Sequence, residues 1–269
     1  MTNLTLDAVS DFLLTKFPHI SNLTTWGSGE WSQAFAFDTP TDTGDGGYVI
    51  RFGLHLDDYQ KDQLAARFAG PDLPIPTIIE IGLALDLHYA LSIRAPGLPL
   101  IDLDESGLRR VLPAYFRALR HVDLSASSGF GLWTPDGTTP FDTWHDALLD
   151  ITNDHPGAQS RLARTSRPPP DAPSTAPATF DAGYRQLEEL VPHTPQPRHL
   201  IHADLVGDNV RVQGNRLTAV VDWGNAMYGD GLYDLARLCF WKPWFPHWRH
   251  IDFPAEYRRH LEAIGAQDP

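Results

Sequence analysis

The stretch LIHADLVGDNVRV, residues 200–212, sets His202, Asp204, Asp208 and Asn209 among apolar residues that read as strand. The run NVRV, the turn QGNR and the run LTAVVDW then read as a β-hairpin whose returning strand ends on Asp222. A short loop joins Asp204 to Asn209, so the hairpin gathers Asp204, Asn209 and Asp222. Three oxygen-bearing side chains without a cysteine suit Mg²⁺ and a hydroxyl rather than zinc. Phosphoryl transfer needs such a set: one carboxylate to orient an attacking hydroxyl and accept its proton, and a carboxylate with an amide to hold metal against phosphates. An isolated H-x-D pair is usually a cap or a loop brace. Here the H-x-D-x-x-x-x-N spacing, the hairpin and the terminal VVDW coincide, which favours the chemistry.

The elements that must position these residues can be read along the chain. LDAVSDFLLTKF, residues 6–17, carries apolar residues at helical spacing. LTTWGSGEWSQAFAFDT and GYVIRFG read as strands around a glycine turn and a TDTGDGG hairpin, and DDYQKDQLAARFA returns to helical period. PIPTIIEIGLALDLHYALSIRAPG gives two short β-rich runs about the polar turn LALDLH. After Gly97 the character turns mainly helical, with ESGLRRVLPAYFRALRHV the clearest example. The expected division is therefore a sheet-rich lobe over residues 1–95 and a mainly helical lobe over residues 96–269. Residues 153–179 include Pro168, Pro169, Pro170, Pro173 and Pro177, which deny a regular ladder, so a loop is expected there. Helical character resumes at FDAGYRQLEELV, and no internal repeat is visible.

Composition bounds the rest. A chain of 269 residues that is 42% hydrophobic can bury a sizeable core. The single cysteine, Cys239, forms no intrachain disulfide and excludes a cysteine-based metal cluster, which fits a reducing cytoplasm. The opening MTNLTLDAVSDFLLTKF lacks a basic region followed by an apolar one, and no run approaches membrane-spanning length, so neither export nor membrane insertion is expected. A net charge of −13 repels nucleic acid. The same surplus is explained by solubility alone, or by a cationic ligand if the acidic residues gather at one site.

The spacing from Asp204 to Asn209 equals that in the kinase signature H-R-D-L-x-x-x-N. LIHADLVGDNV followed by AVVDWGNAMYGDGLYDLARLCFW resembles the aminoglycoside phosphotransferase family, with its H-x-D-x-x-x-x-N loop, D-W-x-x-A metal motif and G-D-x-x-Y-D-L-A helix start. YVIRFG, LPIPTIIEIG, SSGFG, RHLIHAD, AVVDWGNAMYGD and FWKPW extend the likeness over most of the chain, nearest to the hygromycin B-type members. The resemblance implies an α+β, protein-kinase-like two-lobed fold, with a sheet-rich N-lobe, a mainly helical C-lobe and ATP between them. It implies an ATP- and Mg²⁺-dependent O-phosphotransferase acting on a hydroxyl of a hygromycin B-like aminoglycoside, a cytoplasmic monomer binding a small cationic acceptor. Asp204 is then the catalytic base, His202 the brace of its loop, and Asn209 and Asp222 the Mg²⁺ ligands.

The same likeness makes WGSGEWSQAF the loop over the triphosphate. Gly27 and Gly29 permit close backbone approach there, and Ser32 can donate to a phosphate oxygen. The chain carries no Gly-Lys-Ser/Thr of a Walker A loop. In YVIR, Arg51 stands where kinases usually carry lysine; it keeps the positive charge and adds a planar fork. Lys61, one of three lysines, could instead reach the phosphates, but reads better as a solvated helix charge. With no glutamate on that helix, Asp57, Asp58 and Asp62 are all candidate partners of Arg51. SIRAPG is the expected hinge, its backbone from Ile93 to Ala95 meeting the adenine edge. On the acceptor side stand Asp208, Asp230, Trp241 and Trp244. Against that, Asp230 and Asp234 also suit helix capping and loop holding, and FWKPW suits a core. The resemblance to the hygromycin B-type members implies further C-lobe helices past EYRRHLEAIGAQDP, so the lobe over residues 96–269 is expected to be short of C-terminal helices. Two other activities are open, a kinase of another metabolite such as a choline-like or macrolide substrate, and a nucleotide-binding pseudoenzyme; the full Asp204, Asn209 and Asp222 set argues against the second.

Overall fold

The computed structural model describes residues 3–29, 31–41, 44–120, 122–150 and 176–266. Most of the proline-rich stretch, residues 151–175, lies outside them, and with it most of the expected loop. The chain divides into two compact units, Met1–Leu103 with Gly207–Gly224, and Asp104–Val206 with Asn225–Pro269. Among the described residues no helix is long and apolar enough to cross a membrane.

The first unit is built on an antiparallel sheet of β1 (Ser21–Ser28), β2 (Ser32–Thr41), β3 (Gly44–Gly53), β4 (Ile78–Ala84) and β5 (Leu87–Ile93), in the order β1-β2-β3-β5-β4. Alternation explains its core. Phe35 and Phe37 on β2, Ile50 and Phe52 on β3, and Leu87, Tyr89 and Leu91 on β5 turn to one face and are buried together. Helix α1 (Leu6–Leu14) covers that face with Val9 and Leu13, and its first turn is capped by Thr5 Oγ1, which accepts the N–H of Ala8 at 3.2 Å. The β4–β5 turn tightens to Leu85 and Asp86, whose φ of 53° and 61° match the mirror-image turns that fit strand twist. Helix α2 (Leu56–Ala65) follows β3 and buries Tyr59, Lys61, Asp62, Leu64 and Ala65.

The hairpin of β9 (Val210–Gln213) and β10 (Arg216–Val220) belongs to this first unit, and so do residues up to Leu103. The division at residues 95 and 96, expected from the change to helical character, therefore differs from the compact units. The reason is a short strand, β6 (Leu98–Pro99), which pairs with β9 through Leu98 and Val212. Gly97 makes that approach with φ of 98°; a Cβ there would meet Val212 O at 2.2 Å. Thr218 Oγ1 donates to Pro96 O at 2.6 Å, and Val220 N to Pro74 O at 2.7 Å. Strand pairing overrides the change in local character.

In the second unit, α3 (Glu105–Ala118) buries Leu108, Val111, Leu112 and Tyr115, one face of a 3.6-residue period, and Asp104 caps it by accepting from Gly107 N at 2.6 Å. Three short strands, β7 (Gly131–Leu132), β8 (His199–Ile201) and β11 (Met227–Gly229), pair in the order β7-β11-β8. Trp144 at the start of α4 (Trp144–Leu149) packs with Ile201, Ala203 and Met227 behind them. Helix α5 (Ala176–Leu190) begins four residues before the expected FDAGYRQLEELV, with Pro177 in its first turn, where the missing N–H costs little. The unit ends with α6 (Leu232–Trp241) and α7 (Phe253–Ala263).

Candidate active site

One cavity of about 310 Å³ lies within the first unit. Its wall includes Gly27, Gly29, Ser32, Arg51, Ile93, Ala95, Asp208, Asn209 and Asp222. Residues from β1, β2, β3, the end of β5 and the hairpin are thus brought together although they span nearly 200 positions of sequence. Sheet register accounts for part of this: Ser32 faces Gly53 and Ala34 faces Arg51 on adjacent strands. The hairpin accounts for the rest. Val210 pairs with Val220, and Val221 N donates to Asn209 O at 2.9 Å, which sets Asn209 beside the segment bearing Asp222.

The cation question resolves onto one aspartate. Arg51 pairs with Asp62 from α2, and its other terminal nitrogen lies 3.8 Å from Asp222 Oδ1. Asp62 Oδ1 also accepts the N–H of Trp223 at 2.7 Å, so a single carboxylate fixes both the cation and the backbone next to Asp222. Asp58 lies instead beside the end of the hairpin, where a Cβ on Gly224 would meet its Oδ1 at 2.8 Å. The solvated reading of Lys61 is corrected: its ammonium is buried and donates to Gly224 O at 3.0 Å, because α2 turns this face toward the hairpin. Its tail therefore pins the chain two residues past Asp222.

A Cβ at Gly27 would meet nothing, and one at Gly29 only Ser32 O at 3.9 Å. Packing of the protein itself thus leaves open space at both glycines. Asp222 has φ of 68°, a left-handed conformation that costs an aspartate roughly 1–2 kcal/mol and is held here by its anchored neighbours. Asp222 and Asn209 supply a hard carboxylate and an amide oxygen to the same cavity, a donor pair that fits Mg²⁺, which keeps several waters and takes few protein ligands. Among the described residues no group of three or more His, Cys, Asp or Glu side chains could hold a metal ion by itself.

The remaining expected residues lie in the second unit. His202 is fully buried, and its Nδ1 accepts the N–H of Asp204 at 3.3 Å, so the imidazole braces the loop through its unprotonated nitrogen. Asp204 keeps a partly exposed carboxylate paired with Arg237 of α6 at 3.1 Å. Asp234 is buried and accepts from His202 N at 2.9 Å and Ala203 N at 2.8 Å. Burial pushes its carboxyl up to about 7, against the pull of those two N–H groups and Arg237. Tyr115 donates to Leu205 O at 2.6 Å, and burial with the nearby charges of Asp234 and Asp204 raises its hydroxyl well above the usual range. Asp230 Oδ1 accepts from Leu232 N at 3.0 Å at the start of α6, a capping contact. Trp241 and Trp244 contact each other with centroids 5.5 Å apart, and Trp244 is 61% exposed. Sequence reasoning gave no role to Arg237, nor to Trp26 and Arg211 in the cavity wall, although all three lie in the quoted stretches, because each gains its meaning from a partner distant in sequence.

Comparison with known proteins fits this geometry. A model of the phosphotransferase enzyme family matches residues 42–268. Hygromycin-B 4-O-kinase of Escherichia coli is 36% identical over 268 residues, 98% of this chain and 74% of that protein. The crystal structure of a thermostable mutant of aminoglycoside phosphotransferase APH(4)-Ia, in ternary complex with AMP-PNP and hygromycin B, superposes with a TM-score of 0.79 at 35% identity, covering 96% of this chain and 85% of that one. An aminoglycoside-3'-phosphotransferase of type VIII, at 16% identity and a TM-score of 0.58 over 98% of this chain and 93% of that one, shares the fold, which is α+β and protein-kinase-like.

Proposed function

The chain belongs to the phosphotransferase enzyme family, and from that premise we propose that it is an ATP- and Mg²⁺-dependent O-phosphotransferase that modifies a hydroxyl of a hygromycin B-like aminoglycoside. One observation carries the nucleotide half of this reading: Gly27, Gly29, Ser32, Arg51, Ile93, Ala95, Asn209 and Asp222 all line a single cavity. The acceptor half is supported by the likeness to Hygromycin-B 4-O-kinase over 98% of the chain.

In this reading the backbone from Ile93 to Ala95 takes the base edge, and Gly27, Gly29 and Ser32 meet the phosphates. Arg51 contributes a fixed positive charge, its fork held by Asp62. Asn209 and Asp222 would hold Mg²⁺, which when bound neutralises charge on the phosphate oxygens. Asp204 orients the acceptor hydroxyl and takes its proton as oxygen bonds to the γ-phosphorus and the bond to the β,γ-bridging oxygen breaks, leaving ADP. Arg237 keeps the Asp204 carboxylate in one rotamer, and His202 and Asp234 keep its backbone in place. Asp230, Trp241 and Trp244 are the acceptor-side residues, while Asp208 lines the cavity assigned to the nucleotide, and the net charge of −13 suits a cationic acceptor. The single cysteine suits a cytoplasmic setting.

The test is direct. Incubation of the chain with hygromycin B, ATP and Mg²⁺ should give a product heavier by one phosphoryl group in a mass spectrum, absent when ATP or Mg²⁺ is withheld. A hygromycin B that stays unmodified, while a choline-like or macrolide alcohol gains the phosphoryl group, would transfer the assignment to that metabolite.

A further inference from the structure

Three residues of α2 meet the chain just past Asp222. Asp58, Lys61 and Asp62 stand three and four positions apart and so share one helix face. Asp62 Oδ1 accepts Trp223 N at 2.7 Å, and Lys61 Nζ donates to Gly224 O at 3.0 Å. A carboxylate thus takes an N–H, and an ammonium serves a C=O, within two consecutive residues. Asp58 closes the third side, where a Cβ on Gly224 would meet its Oδ1 at 2.8 Å. Upstream, Val221 N donates to Asn209 O at 2.9 Å. Asp222 is therefore held between two anchors, the hairpin before it and α2 after it. Lys61 is 7% exposed and does not line the cavity, whereas Asp62 does. Burying an ammonium costs more than burying an apolar side chain of the same length, so packing alone does not call for lysine here.

We propose that Lys61 is a positioning residue for the metal site: through Gly224 O it holds Asp222 in the left-handed conformation in which that residue lines the cavity. The proposal rests on the phosphotransferase reading and deepens it by naming what couples metal to nucleotide. At φ of 68°, Asp222 occupies a region that a non-glycine residue leaves when its neighbours let go. Leaving it means rotating about the backbone bonds of Asp222, which swings the peptides on either side. Val221 is fixed by the hairpin, so the rotation has to carry Trp223 and Gly224, and the two α2 contacts oppose that. Asp62 is also committed to Arg51, so its loss disturbs a cation of the cavity. Lys61 stands outside the cavity wall and acts on the site through the backbone. Its loss should therefore leave the nucleotide its own contacts and take away the placement of a metal ligand.

Calorimetric titration of the full chain with ADP, once with Mg²⁺ and once with EDTA, gives the factor by which the metal tightens the nucleotide. Lys61→Met, which keeps the length and loses the donor, should cut that factor about tenfold and leave the affinity in EDTA within about twofold of wild type. Gly224→Ala tests the same contact from the other side. Its Cβ crowds Asp58, so the factor should fall, and adding Asp58→Ala, which clears the space, should bring it back. A general folding defect does not produce that rescue, which also stands as the test if Lys61→Met fails to fold. The proposal is overturned if Lys61→Met keeps the factor within about threefold of wild type, if affinity falls equally with and without Mg²⁺, or if Gly224→Ala keeps the wild-type factor or is not rescued. Wild-type chain whose ADP affinity ignores Mg²⁺ brings down the metal-dependent phosphotransferase reading together with the role of Lys61. Wild-type chain that shows the factor, with variants that keep it, removes Lys61 alone.

Discussion

Asp62 in the first unit and Asp234 in the second do the same work by different means. Each is 4% exposed, and each accepts backbone N–H groups beside a carboxylate that the proposed chemistry needs. Asp62 takes Trp223 N next to Asp222, and Asp234 takes His202 N and Ala203 N next to Asp204. Each supported segment holds a non-glycine residue in the left-handed region, Asp222 at φ of 68° and Ala203 at 64°. The counter-charge is where they differ. Asp62 is paired with Arg51, whereas Asp234 forms no ion pair among the described residues and is pushed up to about 7 by burial. One support is held in an ion pair, and the other is pushed toward neutrality by burial.

Removing the counter-charge arrangement should have the largest effect. Asp62→Ala leaves Arg51 without its close partner and Trp223 N without an acceptor, so it should destabilise the protein by about 3–5 kcal/mol, the usual cost of breaking a buried pair from one side. Urea unfolding measures this, and a loss below about 1 kcal/mol would mean that the pair is effectively solvated.

Asp204→Asn comes next. It spares both supports and should cut turnover by roughly two orders of magnitude or more, with ADP affinity kept, because the base is lost while the cavity of the first unit is untouched. Turnover close to wild type would remove Asp204 from the role of base.

The contrast in titration sharpens the comparison further. The folded carboxyl of Asp234 is raised above its model value of 3.8 to about 7, so its contribution to stability is fully present below the lower value and is lost as pH rises through the higher one. Asp234→Asn cannot ionise, so its deficit relative to wild type should shrink between about pH 5 and about pH 8, measured as unfolding free energy at each. A deficit that stays constant would mean that Asp234 keeps one protonation state throughout.

The smallest effect is expected at His199, whose pKa is lowered from 6.5, mainly by burial. Its Nδ1 accepts Gly231 N at 3.2 Å, a role open only to the neutral ring. The stability it gives is present above 6.5 and lost as pH falls through its depressed folded value, opposite in sign to Asp234. His199→Gln should flatten thermal stability on the acid side alone; a profile parallel to wild type would refute this.

The amino-acid sequence by itself determined the element types of the sheet, α1, α2 and α3, because alternating and 3.6-residue apolar periods are local properties. It also determined the hairpin and the spacing from Asp204 to Asn209, since a loop of fixed length links them. Tertiary structure decided what depended on partners far apart in the chain. Which of three aspartates holds Arg51 was settled by the face that α2 turns inward, which also buried Lys61. Where the first unit ends was settled by β6 pairing with β9 across more than a hundred residues, and the meeting of Trp26 with Arg211 likewise. Periodicity reports which face of an element is apolar, whereas the partner of a buried charge is set by a close approach between chain segments that no local pattern encodes.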